Sequence, residues 1–195
     1  MFYCAYELNI PNVDLLKEEW KEFSAEQPPT WQGSIYVNYK TVGPETIKLY
    51  ELFDNCFLNN MRFIKAPAKT LWKQHLDIDV DEKDVFDGEI PPSSLRPATI
   101  NFLLTPPDKN KTQFWTDLNC TKHYWKTCRE YKGTENWKLV DEKILAEKPQ
   151  LINTAQWHSI DITRERWMAG FHFSPLVSFQ SAVEYCRHKG FLIER

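Results

Sequence analysis

The stretch that organises this sequence is Gln74-His75-Leu76-Asp77-Ile78, with Gln156-Trp157-His158-Ser159-Ile160 as its distant partner. Side chains of a β-strand alternate between two faces, so His75 and Asp77 share one face, with Cα atoms about 6.5–7 Å apart. That spacing lets an imidazole nitrogen and a carboxylate oxygen bind one ion. His158, brought alongside from another strand, completes a set of two histidines and one carboxylate, which leaves three positions of an octahedral ion open.

The rest of the chain supplies the strands that such a site requires. From residue 61 onwards the apolar residues recur with a period of two for most of the chain. The predicted strands are 61–65, 71–78, 99–105, 113–118, 137–140, 151–154, 157–162 and 166–173. Many short strands without intervening helices favour an antiparallel sandwich or barrel over a parallel sheet.

Helical patterns stand on both sides of this β-rich region. Apolar residues recur at helical spacing in residues 13–25, 45–55 and 179–188. Helices that cover one face of a jelly-roll account for this layout. The predicted fold class is α+β but mainly β: a double-stranded β-helix (jelly-roll) with N-terminal helices and a C-terminal helix packed on one sheet.

Length and composition narrow the classes of protein. The 195 residues, 42% of them hydrophobic, suit one domain, in which 1–60 lead into a β core at 61–175 and 176–195 form the last helix. The net charge of −3 argues against a nucleic-acid binder, whose surface is basic. No apolar run approaches the ~20 residues of a membrane-spanning helix, and no signal-peptide pattern is present. We therefore expect a cytoplasmic protein.

The last two predicted strands place an arginine relative to His158. If residues 163–165 form a three-residue hairpin loop, Ile162 lies opposite Arg166 and His158 lies opposite Gly170. His158 and Arg166 then share a face and are about 13 Å apart along the strands. That distance suits an elongated dianion that binds a metal at one end and a guanidinium at the other. A loop of two or four residues turns Arg166 to the other face, so this prediction depends on the loop length.

The predicted strand 99–105 has one apolar face and one mixed face. The apolar set, Ile100, Phe102 and Leu104, is expected to pack under the helices. The other set, Thr99, Asn101 and Leu103, has two polar members that can hydrogen-bond a bound acid inside the barrel. Two ordinary, satisfied polar residues of a strand would give the same pattern.

Four elements in this order resemble the 2-oxoglutarate and Fe(II)-dependent oxygenase superfamily, in its prolyl-hydroxylase and aspartyl-hydroxylase-like branch. They are His75-x-Asp77, the segment 96–104 that begins with Arg96, the segment 149–158 that ends with His158, and Arg166. The similarity covers roughly residues 61–175. It implies that His75, Asp77 and His158 bind Fe(II) and that Arg166 holds the distal carboxylate of 2-oxoglutarate.

The sequence departs from this family at one cosubstrate position. The family often pairs the arginine with a tyrosine, and the corresponding position here is Leu103. The resemblance therefore leaves Asn101 or Thr99 as the candidates that assist Arg166. The role of Arg96, which matches an arginine of the pattern, stays open.

The resemblance implies a hydroxylase that uses O₂ and converts 2-oxoglutarate to succinate and CO₂ while it oxidises a C–H bond. The substrate, a small molecule or a peptide, and the oligomeric state are not predicted. Two alternatives stay open. One is a non-catalytic jelly-roll module for binding or assembly, and the other is a cupin-like metal enzyme in which His172 is an additional ligand.

Overall fold

The computed structural model describes residues 3–27, 32–54, 56–58, 60–75, 96–107, 111–117, 137–144 and 147–193. The strands in these residues are β1 (Ala5–Glu7), β2 (Gly33–Asn38), β3 (Asn60–Ala66), β4 (Thr70–His75), β5 (Thr99–Leu103), β6 (Lys111–Asp117), β7 (Trp137–Ile144), β8 (Gln150–Ile152), β9 (His158–Ile162) and β10 (Arg166–His172). The α-helices are α1 (Val13–Ala25), α2 (Pro44–Leu52) and α3 (Phe179–His188). None of these helices is long and apolar enough to cross a membrane.

The strands form two antiparallel sheets. The larger sheet has the order β1-β8-β5-β10-β3-β2, and the smaller has the order β4-β9-β6-β7. From β3 to β10 the chain alternates between the sheets, except that β6 and β7 follow each other within the smaller one. This alternation between two facing sheets is the jelly-roll arrangement, so the predicted fold class is confirmed.

The helices cover the outer face of the six-stranded sheet. Every second residue of its strands belongs to one apolar core with the helices, including Phe63 of β3, Phe102 of β5 and Phe171 of β10. Trp20 of α1 lies over Phe63 and Phe171, with ring centres 6.2 and 6.0 Å away. The prediction that Ile100, Phe102 and Leu104 pack under the helices is confirmed, since all three belong to this core. Burial of these large apolar side chains fixes which face of each strand looks inward.

The inner faces of the two sheets contact each other through small apolar clusters. Ala66 of β3 packs against Ile160 and Ile162 of β9, and Trp72 of β4 lies beside them. At another position Phe114 of β6 packs against three residues of the larger sheet and its lead-in: Cys4, Ala5 and Ile152. The inner face of the larger sheet also carries polar residues, which form the candidate site.

The predicted hairpin of the last two strands is wrong. β9 pairs with β4 and β6, whereas β10 pairs with β5 and β3. Ile162 is therefore not hydrogen-bonded opposite Arg166, and His158 is not paired with Gly170. The physical reason is the jelly-roll connection: residues 163–165 carry the chain from one sheet to the other, and each strand then finds its partners within its own sheet.

Two strand ends also differ from the prediction. The predicted strand 137–140 is only the first half of β7, which continues to Ile144. β7 is an edge strand of the smaller sheet, and edge strands carry charged residues such as Asp141 and Glu142, so the apolar alternation ends before the strand does. The predicted strand 71–78 is observed up to His75, and residues 76–78 lie outside the described residues.

A carboxylate from α1 caps the N-terminus of α2. Glu19 Oε1 accepts a hydrogen bond from Glu45 N at 2.6 Å, and Glu19 Oε2 accepts from Thr46 N at 2.9 Å and from Thr46 Oγ1 at 3.0 Å. The first N–H groups of a helix have no partner within the helix, and the helix dipole favours a negative charge there. Glu19 therefore fixes the two N-terminal helices relative to each other.

We predict that Glu19→Ala lowers the free energy of unfolding by about 1–2 kcal/mol, because two helix N–H groups lose a charged acceptor. Urea unfolding measures the change. Glu18→Ala is the matched control, since Glu18 is the exposed neighbour on the same helix. Equal stability of the two variants would contradict the role of Glu19 as a cap.

Candidate functional site

The pairing of β4 with β9 brings together two of the residues predicted to bind a metal. Trp72 lies opposite Ile160, and an irregularity in β4 absorbs one extra residue, so that His75 lies opposite His158. Directly opposed positions of an antiparallel pair share a face of the sheet. Asp77 lies outside the described residues, so its role as the third ligand stays a prediction.

The imidazole of His158 is buried and oriented. His158 is only 4% exposed, and its Nδ1 lies 2.9 Å from the backbone oxygen of Gln156. A carbonyl oxygen only accepts, so Nδ1 donates the proton and Nε2 carries the lone pair that a metal requires. Phe114, opposite His158 on β6, places its ring centre 6.2 Å from the imidazole.

Contacts with β6 hold the start of β9 in place. Trp115 N donates to the backbone oxygen of Trp157 at 2.8 Å, and Trp115 Nε1 donates to Ser159 Oγ at 2.8 Å. The side-chain amide of Gln156 donates to the backbone oxygen of Trp115. Together these bonds fix the backbone on both sides of His158, which is the support that a metal ligand needs.

Gly170 faces the same space from the larger sheet. It lies four residues after Arg166, and His158 lies four residues before Ile162, so the two stand at about the same height above the 163–165 connection. A Cβ atom at Gly170 would lie 3.2 Å from Asn101 Oδ1 and 3.4 Å from His172 Nε2. A side chain at Gly170 would therefore crowd these polar groups, on the face that looks toward β9.

A buried polar cluster borders Gly170. Arg96 Nη1 lies 3.0 Å from His172 Nδ1, and both residues are 2% exposed. Thr154 Oγ1 donates to the backbone oxygen of Arg96 at 2.7 Å and lies 3.5 Å from Thr99 Oγ1. Arg96, whose role the sequence left open, thus lies beside His172 and Thr154.

The contact with Arg96 bears on the cupin-like alternative. A guanidinium only donates hydrogen bonds, and a neutral imidazole has a single nitrogen with a lone pair. When that lone pair of His172 accepts from Arg96, it is not available to a metal. The contact therefore argues against a metal site in which His172 is a ligand.

The predicted cosubstrate arginine lies at the other end of the space between the sheets. Arg166 is 1% exposed and lies opposite Ala66, which packs against Ile160. Thr112 of β6 lies opposite Ile160, is also 1% exposed, and its Oγ1 makes no hydrogen bond among the described residues. Arg166 and Thr112 therefore border the same apolar contact from opposite sheets.

The sequence did not identify Thr112 as a site residue, although the alternation of residues along β6 contains a signal for it. The predicted strand began at residue 113, whereas β6 begins at Lys111. Thr112 and Phe114 share a face by parity, and Phe114 is fully buried. The predicted helpers lie elsewhere: Asn101 is opposite Gly170 and Thr99 is opposite His172. Whether either of them binds the cosubstrate stays a prediction.

We predict that Gly170→Ala and Asn101→Ser are energetically coupled, because the new Cβ atom meets the Asn101 side chain. In urea unfolding, Gly170→Ala is expected to be less favourable by about 0.5–1 kcal/mol in the native background than in the Asn101→Ser background. Gly170→Ala combined with Glu18→Ala, a distant exposed site, should be additive. Additivity in both pairs would place Asn101 away from Gly170.

Comparisons with known proteins give matches of fold. No family model matches the sequence, and no curated protein matches it significantly. Among solved structures, a prolyl-4-hydroxylase from Pseudomonas putida is 14% identical over 86% of this chain and 92% of its own, with a TM-score of 0.46. HygX from Streptomyces hygroscopicus, solved with nickel and 2-oxoglutarate, is 11% identical over 84% and 78%, with a TM-score of 0.47.

A third solved structure is SnoN, a non-heme alpha-ketoglutarate-dependent epimerase from nogalamycin biosynthesis. It is 12% identical, covers 87% of this chain and 77% of its own, and has a TM-score of 0.49. By their descriptions, these proteins are a prolyl-4-hydroxylase, a protein solved with nickel and 2-oxoglutarate bound, and an alpha-ketoglutarate-dependent epimerase. At these identities and TM-scores the likeness is one of fold and assigns no role to any residue.

Proposed function

We propose that this chain is a 2-oxoglutarate- and Fe(II)-dependent oxygenase that hydroxylates a C–H bond. The observation that carries the proposal is the register of β4 and β9, which sets His75 opposite His158. Arg166 and Thr112, two buried groups suited to a carboxylate, border the far end of the same space. Two metal ligands at one end and a guanidinium at the other are what a chelating dianion requires.

His158, the proposed ligand whose side chain the structure describes, is suited to Fe(II). The tautomer of His158 set by Gln156 presents Nε2 as the ligand atom. In the proposal His75 and Asp77 complete the set. Two neutral imidazoles and one carboxylate leave a net charge of +1 at a divalent ion, which attracts the dianion. Bound Fe(II) supplies the oxidising chemistry with O₂ and 2-oxoglutarate, which ends as succinate and CO₂.

Arg166 and Thr112 hold the distal carboxylate in this proposal. Thr112 lies opposite Ile160, two residues or about 6.6 Å along β9 from His158. Its buried hydroxyl can donate to a carboxylate oxygen, and the guanidinium of Arg166 can donate to both oxygens. Thr99 and Asn101 border the space nearer to His158. Their predicted hydrogen bonds to the bound acid remain part of the proposal.

We predict that anaerobic addition of Fe(II) and 2-oxoglutarate produces a weak visible charge-transfer band, and that His158→Ala abolishes it because one ligand is lost. His188→Ala is the matched control, since His188 is exposed at the end of α3. Succinate release in air is measured in parallel. Absence of metal binding would exclude the proposal, and metal binding without any succinate would favour the non-catalytic module.

We predict opposite effects of Thr112→Val on stability and on cosubstrate binding. Without ligand, removal of a buried hydroxyl that has no hydrogen-bond partner among the described residues should raise the free energy of unfolding by about 1 kcal/mol. With Ni(II) in place of Fe(II), the dissociation constant of 2-oxoglutarate should rise roughly tenfold in calorimetry, because one hydrogen bond is lost.

Thr112→Ser retains the hydroxyl and should keep the affinity for 2-oxoglutarate, whereas Arg166→Gln should lose more of it than Thr112→Val does. A destabilised Thr112→Val that binds 2-oxoglutarate like the native protein would show that the hydroxyl is a structural group and remove it from the site.

A further inference from the structure

Arg62 is a cation on the inner face of the larger sheet. It lies opposite Gly170 of β10 on one side and opposite Tyr36 of β2 on the other. Its neighbours in sequence, Met61 and Phe63, belong to the apolar core under the helices. Because side chains alternate along a strand, Arg62 is directed to the opposite face, which is the face that Gly170 presents to β9.

Two connections place Arg62 at the metal end of the space. Gly170, its neighbour on β10, stands at about the height of His158, as shown above. Independently, β3 and β4 are joined by residues 67–69, and Ala66 and Trp72 pack in the same cluster beside that connection. Arg62 lies four residues before Ala66 and is therefore near the end of β3 that is far from this connection. His75 is at the end of β4 that is also far from the connection, so Arg62 and His75 lie at the same end of the two strands.

Neighbouring side chains hold the guanidinium in one orientation. Arg62 Nε donates to Ser34 Oγ at 3.1 Å, and its Cζ lies 5.6 Å from the ring centre of Tyr36. Ser34 and Tyr36 belong to β2, the edge strand of the larger sheet. Tyr36 is 53% exposed, so the face of β2 beside Arg62 is accessible to solvent.

The charge of Arg62 is not neutralised by a carboxylate in the described part of the chain: its contacts there are a hydroxyl and an aromatic ring. Lys65, the next cation along β3, lies on the helix side over Trp167. A guanidinium that is already held in place loses little entropy on binding, and its fork of N–H donors matches a carboxylate or a phosphate.

From this geometry we infer that Arg62 binds an anionic group of the substrate, with Tyr36 as the apolar surface beside it. The inference rests on the proposed function and defines its substrate class: a molecule with a carboxylate or phosphate group roughly 10 Å from the carbon that is hydroxylated, since facing sheets are about 10 Å apart. Arg62 thus acts as a specificity-determining residue at the entrance beside β2.

The test measures binding of three fluorinated probes by ¹⁹F NMR to the protein loaded with Ni(II) and saturating 2-oxoglutarate, which occupies Arg166. The probes are 4-fluorobenzoate, 4-fluorophenyl phosphate and the neutral 4-fluorobenzamide. We expect at least one anion to bind about tenfold more tightly than the amide, because a charge-assisted pair forms with Arg62. The stronger of the two anions identifies the group as a carboxylate or a phosphate.

Arg62→Gln should abolish this preference and Arg62→Lys should keep part of it, since a lysine retains the charge without the fork. Arg164→Gln is the matched control, because Arg164 is exposed on the connection between β9 and β10. Equal binding of acid and amide, or an unchanged preference in Arg62→Gln, would overturn the inference. Urea midpoints of the variants show that each is folded.

The outcomes separate this inference from the proposed function. If Ni(II) and 2-oxoglutarate bind but no anion is preferred, only the role of Arg62 fails. If the anion preference depends on Arg62 while His158→Ala leaves metal binding unchanged, the proposed metal site fails and the anion site remains.

Discussion

The candidate site depends on one constraint, the register between β4 and β9. A shift of a single residue in an antiparallel pair turns every side chain to the other face. The register is determined by apolar packing at the far end of the strands, where Ile160 and Ile162 pack with Ala66 and Trp72 lies against this cluster. The extra residue between Trp72 and His75 then changes the alternation of positions along β4, so that His75 lies opposite His158. Packing of apolar residues thus positions polar ones that contribute little to the core.

The larger sheet separates stability from chemistry by the alternation of its side chains. Its outer face is a continuous apolar core with three helices, and Phe63, Phe102 and Phe171 are its centre. The inner face also carries small and polar residues, among them Arg166 at the start of β10 and Gly170 near its end. The helix side supplies most of the apolar burial that stabilises the sheet. The inner face can therefore hold arginines and a histidine, because the free energy gained by burying the apolar core offsets the cost of desolvating them.

Local patterns of the sequence predicted the strands, the three helices and the jelly-roll, because period-two and helical repeats report burial directly. The prediction of the last strands as a hairpin failed, since pairing within a sheet is a long-range property that a short connection does not encode. Thr112 was missed for a related reason: a threonine at a strand start reads as an ordinary polar residue. Only its place opposite Ile160, with a buried hydroxyl, marks it as a candidate for the site.

The sequence by itself determined which residues are able to bind a metal and a dianion, because the chemistry of His, Asp and Arg side chains is local. It also determined the faces of β5 and β10, because alternation is a property of each strand. Only the tertiary structure decided that His158 lies opposite His75 and that Arg62 lies opposite Gly170. Those relations join segments about 80 residues or more apart, and packing between two sheets, rather than any local preference, sets them.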